Sequence, residues 1–367
     1  MVKAECLRLA RSCHAVKSAT WLLTSGGSGI KNLEVITGSA VQRTGSELTF
    51  AVDLGGTHLR AATVDKNGRI QFRLKQKTPH TADPDDIVLT LVQALRQCET
   101  QSKSSGGVIR AVSVVVPGSV NVEQGLVVKA PNLSYLDGFH LTAALTSRLK
   151  LPAIVENDAN AAAVGEMWQG AGHGRRTIVC VTLGTGVGGG IILDGKLWRG
   201  VNDSAAEIGH MCVDPFGGVA CTCGSRGCLE VFASATAIVR MTREASPRYP
   251  DSVLQGRDDL TAEMIFDAGK QGDELALEIF RRMGVYLGIG LANLINILNP
   301  EIIVIGGGVV NGWDLFEKHM HQQVEERAFP LLAARLKIER AKCGDDAGLL
   351  GATACIQRII HRLRRLH

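Results

Sequence analysis

AVDLGGTHLRAATVD, residues 51–65, reads as a strand, a glycine turn and a second strand. Apolar residues run up to Gly55-Gly56-Thr57 and away from it, and Asp53 stands at the end of the first strand. A tight glycine turn offers backbone N–H groups to an anion, and the Thr57 hydroxyl adds another donor. Asp53 is placed to hold a hydrated cation beside that anion. The same letters also make an ordinary hairpin, because Asp-x-Gly-Gly is common turn chemistry. A second stretch narrows the choice. CVTLGTGVGGGIILDGKLWRG, residues 180–200, repeats the plan: apolar strand, Gly184-Thr185-Gly186, apolar strand, then a turn at Asp194-Gly195. Its glycines resemble a dinucleotide fingerprint, but that motif must open a helix. Here Gly189-Gly190 runs on into Ile-Ile-Leu and an Asp-Gly hairpin signal, which disfavours it. Two glycine hairpins far apart in the chain suggest two lobes, each offering a phosphate loop.

Between them lies LPAIVENDANAAAVGEMWQG, residues 151–170. A short strand ends at Glu156-Asn157-Asp158, and the alanine-rich run after it favours a helix. Asp158 at the corner is either the helix N-cap or a carboxylate aimed into a cleft. A third glycine cluster closes LNPEIIVIGGGVV, residues 298–310, where a flat ligand could lie against bare backbone at Gly306-Gly307-Gly308 or the chain simply turns into a helix. The stretch EIGHMCVDPFGGVACTCGSRGCLE, residues 207–230, places His210, Cys221, Cys223 and Cys228 together, the ligand set of a closed tetrahedral zinc site. The alternative is a group of buried free thiols. Glu207 and Glu230 bracket the cluster without being needed as ligands.

The order DLGGT, NDANAAA, LGTGVGGG, EIGH, CTCGSRGCLE and IGGG resembles the ROK family of sugar kinases and sugar-responsive repressors, over about residues 48–360. Within that family, NDANAAA together with the full cysteine loop is most similar to bacterial glucokinases. The resemblance implies an actin-like, RNase H-like α/β fold of two lobes around a hinged cleft. It also implies ATP-dependent phosphoryl transfer to the 6-hydroxyl of glucose, or of another hexose such as N-acetylglucosamine, N-acetylmannosamine, mannose or fructose. Asp158 then matches the catalytic base. Gly118, Ser119, Asn132, Asn157, Glu207, His210 and Glu230 match sugar-pocket residues. Asp53, Gly55, Gly56 and Thr57 match the phosphate loop of one lobe, Gly184, Thr185 and Gly186 that of the other, and Gly306, Gly307 and Gly308 the adenosine side. Magnesium would arrive with ATP, and the zinc would be structural, its four protein ligands leaving no open position. Family habit suggests a homodimer. A non-catalytic regulator is the rival, separated from a kinase by a DNA-binding head and eroded phosphate loops.

Composition agrees with this outline. A chain of 367 residues suggests two domains, and 45% hydrophobic residues suffice for two cores. Only three Tyr and four Trp, and a net charge of +4, argue against a nucleic-acid surface. Ten cysteines, the seven outside the cluster (Cys6, Cys13, Cys98, Cys180, Cys212, Cys343, Cys355) read as free thiols, fit a reducing, cytoplasmic compartment. No apolar run approaches the length of a membrane span, so no membrane contact is expected. Three units are expected: an extension over 1–47, basic and Ser/Gly-rich, too short and unpatterned for a DNA-binding head; a first lobe over 48–160 with a terminal helix near 346–367 packing back on it; and a second lobe over 161–345. Residues 242–261 read as a surface excursion, and 262–300 as two or three helices.

Overall fold

In the computed structural model residues 46–104 and 106–364 are described; residues 1–45 of the expected extension, with Cys6 and Cys13, lie outside them, and its last residue, Glu47, belongs to the first strand. The first sheet starts as an antiparallel meander of β1 (Glu47–Leu54), β2 (His58–Asp65) and β3 (Ile70–Lys77). β1 is buried along nearly its whole length, as a strand covered on both faces must be. β3 alternates instead, with Gln71, Arg73, Lys75 and Lys77 exposed, and it forms an edge. Helix α1 (Pro84–Ser104) carries the chain to β4 (Val108–Val116), parallel to β1. A hairpin of β5 (Ser119–Asn121) and β6 (Leu126–Lys129) and helix α2 (Leu141–Leu149) follow. Then β7 (Ala153–Asn157) pairs parallel with β4, giving the order β3-β2-β1-β4-β7, and α3 (Asp158–Gln169) leaves its end.

The second sheet repeats this plan. β8 (Ile178–Leu183), β9 (Val187–Leu193) and β10 (Lys196–Trp198) form an antiparallel meander. Asp194 and Gly195 both have positive φ, 55° and 74°, the turn that an Asp-Gly pair predicts. After a long loop come α4 (Glu230–Ala233), α5 (Ala235–Ala245), α6 (Ala262–Lys270) and α7 (Glu274–Leu298). Strand β11 (Ile302–Gly306) lies parallel to β8. Helices α8 (Trp313–Arg327) and α9 (Pro330–Ala333) lead to β12 (Lys337–Arg340), parallel to β11, and then to α10 (Ala347–Arg364). The order β10-β9-β8-β11-β12 matches that of the first sheet strand for strand. The two glycine turns occupy equivalent places, between β1 and β2 and between β8 and β9. Helices α3 and α10 are likewise equivalent.

These two helices lie between the sheets. Ala51, Val115, Ala161 and Leu350 pack together on the first sheet's inner face. Ile154, Val164, Ile178, Val304 and Cys355 join both sheets to both helices. Their crossing is close. A Cβ on Gly351 would stand 1.7 Å from the Ala161 carbonyl oxygen, and one on Gly165 would stand 2.2 Å from that of Ala347. The outer faces have separate cores, Phe50, Leu91 and Leu141 on the first lobe and Met241, Phe280 and Phe316 on the second.

Some expectations need correction. A boundary after residue 160 cuts through α3, a continuous helix. The excursion expected over 242–261 begins only after Ala245. Ser234 caps α5, and Ile238, Met241, Thr242 and Ala245 are buried in it, so residues 242–245 complete the helix. Residues 262–300 hold two helices, α6 and α7, as the periodicity suggests. Among the described residues no helix is long and apolar enough to cross a membrane. None of the described cysteines is in a disulfide.

Candidate functional site

The carboxyl ends of the parallel strands converge on one cleft, the usual location of a ligand in an open α/β sheet. β1 delivers Asp53 and the first glycine turn, β7 delivers Asn157 and Asp158, β8 delivers the second turn, and β11 delivers Gly306. The N-cap of α3 is Asn157: its side-chain oxygen accepts from the Asn160 N–H at 2.9 Å. Asp158 is therefore released from capping. Its Oδ1 accepts from the Ala159 N–H at 2.8 Å and from Asn157 Nδ2 at 3.1 Å. Burial above all, then the negative charges of Asp53 and Glu207, push its carboxyl up to about 6, against the opposing Ala159 N–H. Asp53 is also raised by burial, with the Arg60 guanidinium 3.8 Å away opposing the shift.

Asn157, expected as a sugar contact, has both amide hydrogens in use. One goes to Asp158 and the other to the Gly118 carbonyl at 2.9 Å. With its oxygen capping α3, this side chain ties the start of α3 and the Asp158 carboxylate to the Gly118 backbone. Gly118 itself has φ 96°, and a Cβ there would stand 2.2 Å from the Lys129 carbonyl oxygen. Ser119 follows at the start of β5, and Asn132 is exposed in a turn closed by the Leu133 N–H and the Ala130 carbonyl. Gly56 packs on that turn, since a Cβ at Gly56 would be 2.8 Å from Asn132 Cβ. Gly55 donates to the His58 carbonyl within the first glycine turn, and Thr57 is exposed.

The second glycine turn is held by the metal-type loop. Glu230, first residue of α4, accepts the Val187 N–H on Oε2 at 3.0 Å, and its Oε1 lies 3.9 Å from Cys221 Sγ. A Cβ on Gly186 would fall 2.4 Å from that carboxylate, whereas a Cβ on Gly184 would meet nothing within 4 Å. Gly186 thus lies against the Glu230 carboxylate, and Gly184 faces open space. Beyond exposed Thr185, a cavity of about 620 Å3 is lined by Thr236, Val239, Arg240, Arg243 and Leu260. Gly306 is buried, and Gly307 (φ 89°) comes so near β8 that a Cβ would stand 2.3 Å from the Leu183 carbonyl. Gly308 faces open space.

The ligand atoms of His210, Cys221, Cys223 and Cys228 all lie within 4.8 Å of one another. Cys223 Sγ and Cys228 Sγ are 3.7 Å apart, and Cys221 Sγ is 3.6 Å from His210 Nδ1. A tetrahedral zinc with ordinary bond lengths would separate two sulfurs by about 3.8 Å and a sulfur and a nitrogen by about 3.6 Å. The donor set fits that ion. His210 Nε2 points the other way, 3.9 Å from Glu207 Oε2.

Sequence reasoning passed over Glu156 and Arg199. Glu156 is fully buried, and its Oε2 accepts from Arg199 Nε at 3.1 Å and from Nη2. The signal was present: a single carboxylate in the apolar run LPAIVEN must find a partner. Nothing in sequence spacing says where that partner is.

Two sheets of one duplicated topology, a glycine turn at the end of a strand in each, and a buried carboxylate at the β7–α3 corner define a two-lobed, actin-like sugar kinase. The sequence pattern of the ROK family matches residues 49–359, and the chain belongs to that family. It is 40% identical to the glucokinase of Halalkalibacterium halodurans over 82% of this chain and 92% of that one. A crystal structure of a ROK family glucokinase from Streptomyces griseus in complex with glucose and AMPPNP superposes with a TM-score of 0.69 at 36% identity, covering 84% of this chain and 98% of that one. The xylose repressor of Caldicellulosiruptor bescii is 30% identical over 84% of this chain and 77% of its own length. The chain is an ATP-dependent sugar kinase.

Proposed function

We propose that this enzyme transfers the γ-phosphoryl group of ATP to the 6-hydroxyl of glucose. The observation that carries the reading is Asp158: it is freed from capping by Asn157, braced by two hydrogen bonds, and raised to about 6, a suitable value for a general base near neutral pH. In this reading Asp158 takes the proton of the sugar hydroxyl as its oxygen attacks the γ-phosphorus and ADP departs. Gly118, Ser119, Asn132, Glu207, His210 and Glu230 surround the sugar. Asn157 serves it indirectly, by fixing Asp158 and the Gly118 carbonyl. The turns at 55–57 and 184–186 present backbone N–H groups to the phosphates. The cavity beside Thr185 suits the nucleoside, with Gly306, Gly307 and Gly308 flanking it.

Magnesium bound with ATP would neutralise charge between the phosphates, and Asp53, beside the first turn, is placed to take a water of its shell. Zinc held by His210, Cys221, Cys223 and Cys228 would order the loop between Glu207 and Glu230. The lobes divide on either side of the paired helices, with α3 and α10 shared between them.

The rival reading, a sugar-responsive regulator, is favoured by the likeness to the xylose repressor. A coupled ADP-release assay over glucose, mannose, fructose, N-acetylglucosamine and N-acetylmannosamine decides between them. The expected result is turnover highest with glucose. Highest turnover on another hexose would move the substrate assignment, and saturable sugar binding without turnover would leave the regulator.

A further inference from the structure

Residues 199–207 leave the end of β10, in the second sheet, and cross to the first lobe before reaching Glu207. Two side chains, Arg199 and Asp203, hold this strap there. Arg199 grips the buried Glu156, whose Oε1 accepts the Asn157 N–H at 3.0 Å, so the guanidinium is one side chain away from the backbone that carries Asp158. Asp203 Oδ2 accepts the Val122 N–H at 3.0 Å, in the β5–β6 hairpin that begins with Ser119. The strap is closed on itself by the Ala205 N–H, which donates to the Arg199 carbonyl at 3.0 Å. Asp203 and Ala206 both have left-handed backbones, φ 59° and 67°. Side chains bear that conformation at a cost, so it persists where surrounding contacts fix it.

We propose that Arg199 and Asp203 are positioning residues: they tie the strap to the two segments flanking Asp158 and so hold Glu207 over the sugar site. The proposal rests on the reading of Glu207 as a sugar contact. The Glu207 side chain is exposed, its carboxylate 3.9 Å from His210 Nε2, while its carbonyl accepts the His210 N–H at 3.0 Å, so what fixes the residue is its backbone. The placement comes from the strap behind it. The lobe that carries the metal-type loop thereby reaches the catalytic corner by bonds that touch neither the phosphates nor the metal ligands. Arg199 is suited to the task, because its planar fork gives Glu156 two N–H donors where a lysine would give one point charge.

The test compares three variants in the full-length enzyme. Asp203→Gly removes the acceptor and keeps the left-handed backbone comfortable. Asp203→Asn keeps an acceptor oxygen. Arg199→Lys keeps a cation on Glu156 and loses the fork. In the coupled assay with glucose, Asp203→Gly and Arg199→Lys are expected to raise the sugar KM about tenfold and leave the ATP KM within twofold, while Asp203→Asn stays near the parent. Amide exchange of Val122, followed in the same proteins, should quicken about tenfold in Asp203→Gly and stay slow in Asp203→Asn. An unchanged sugar KM in Asp203→Gly, or an equal rise in both KM values, would overturn the proposal. A parent enzyme that turns over no sugar would remove the glucose reading instead. The Val122 exchange would then still report the strap, and slow exchange in Asp203→Gly would remove it too.

Discussion

Asp158 is where the chemistry is most exposed to test. Its ordinary value of 3.8 is raised to about 6 in the folded protein, so the ionised form is the disfavoured one. Two consequences of opposite sign follow. The base must be ionised to accept a proton, so kcat/KM should fall tenfold per pH unit below about 6, and Asp158→Asn should lower kcat by about 10²–10⁴ at pH 7.5, a deficit that narrows as the parent is protonated. Ionisation also costs folding stability. That cost is absent below the unfolded value near 4 and complete above about 6, so Asp158→Asn should melt at a higher temperature than the parent at pH 7.5 and at the same temperature below pH 4. Thermal melts at the two pH values check the second statement, and a pH–rate profile checks the first. From the sequence, Asp158 is legible as a corner carboxylate with two possible jobs. The choice between them depends on Asn157 taking the cap, which the letters N-D before an alanine run leave open.

At the scale of elements, the two glycine turns and the cysteine loop were legible as pieces because each is local: a turn, a hairpin signal, a ligand spacing. Their coupling was not, because Glu230 reaches Val187 across 43 residues. That bond changes what a substitution reports. Gly186→Val would strike the Glu230 carboxylate and should impair sugar and ATP binding together. Gly184→Val projects into open space and should weaken ATP alone. Calorimetry with each ligand separately distinguishes the two, and equal behaviour of the variants would misplace the phosphate loop. The same bond shapes the expectation for the metal. The purified protein should carry about one zinc per chain, and Cys223→Ser should release it. Sugar affinity should then fall most, since Glu207, His210 and Glu230 all lie on the loosened loop, with ATP affinity falling less through Val187. A zinc-free protein with full glucose affinity would separate the metal from the substrate.

For the whole molecule, the repeated sheet order could be suspected from two similar glycine hairpins, but the helix pair between the sheets could not. Assigning the last helix to the first lobe missed that α10 also covers Val304 and Ile178 of the second. The crossing has no room for side chains at Gly165 and Gly351. Gly351→Ala would place a methyl against the Ala161 carbonyl and should destabilise the protein by about 1–3 kcal/mol or more, read as a lowered melting temperature. An unaltered melt would mean that the two helices separate at little cost.

The same pair has a consequence for the order in which the chain is made. A ribosome completes β1, β2, β4 and α3 long before Leu349, Leu350 and Ala352, which cover Ala51, Ala62, Val64 and Val115 in the finished protein. Until α10 emerges, α3 alone covers the inner face of the first sheet, and the places that Leu349, Leu350 and Ala352 fill stand open. The nascent chain must therefore carry a bare apolar surface through most of its synthesis, a state prone to aggregation. The two lobes are duplicates in topology, each with its own outer core, yet the layer they share is complete only once the last helix is in place.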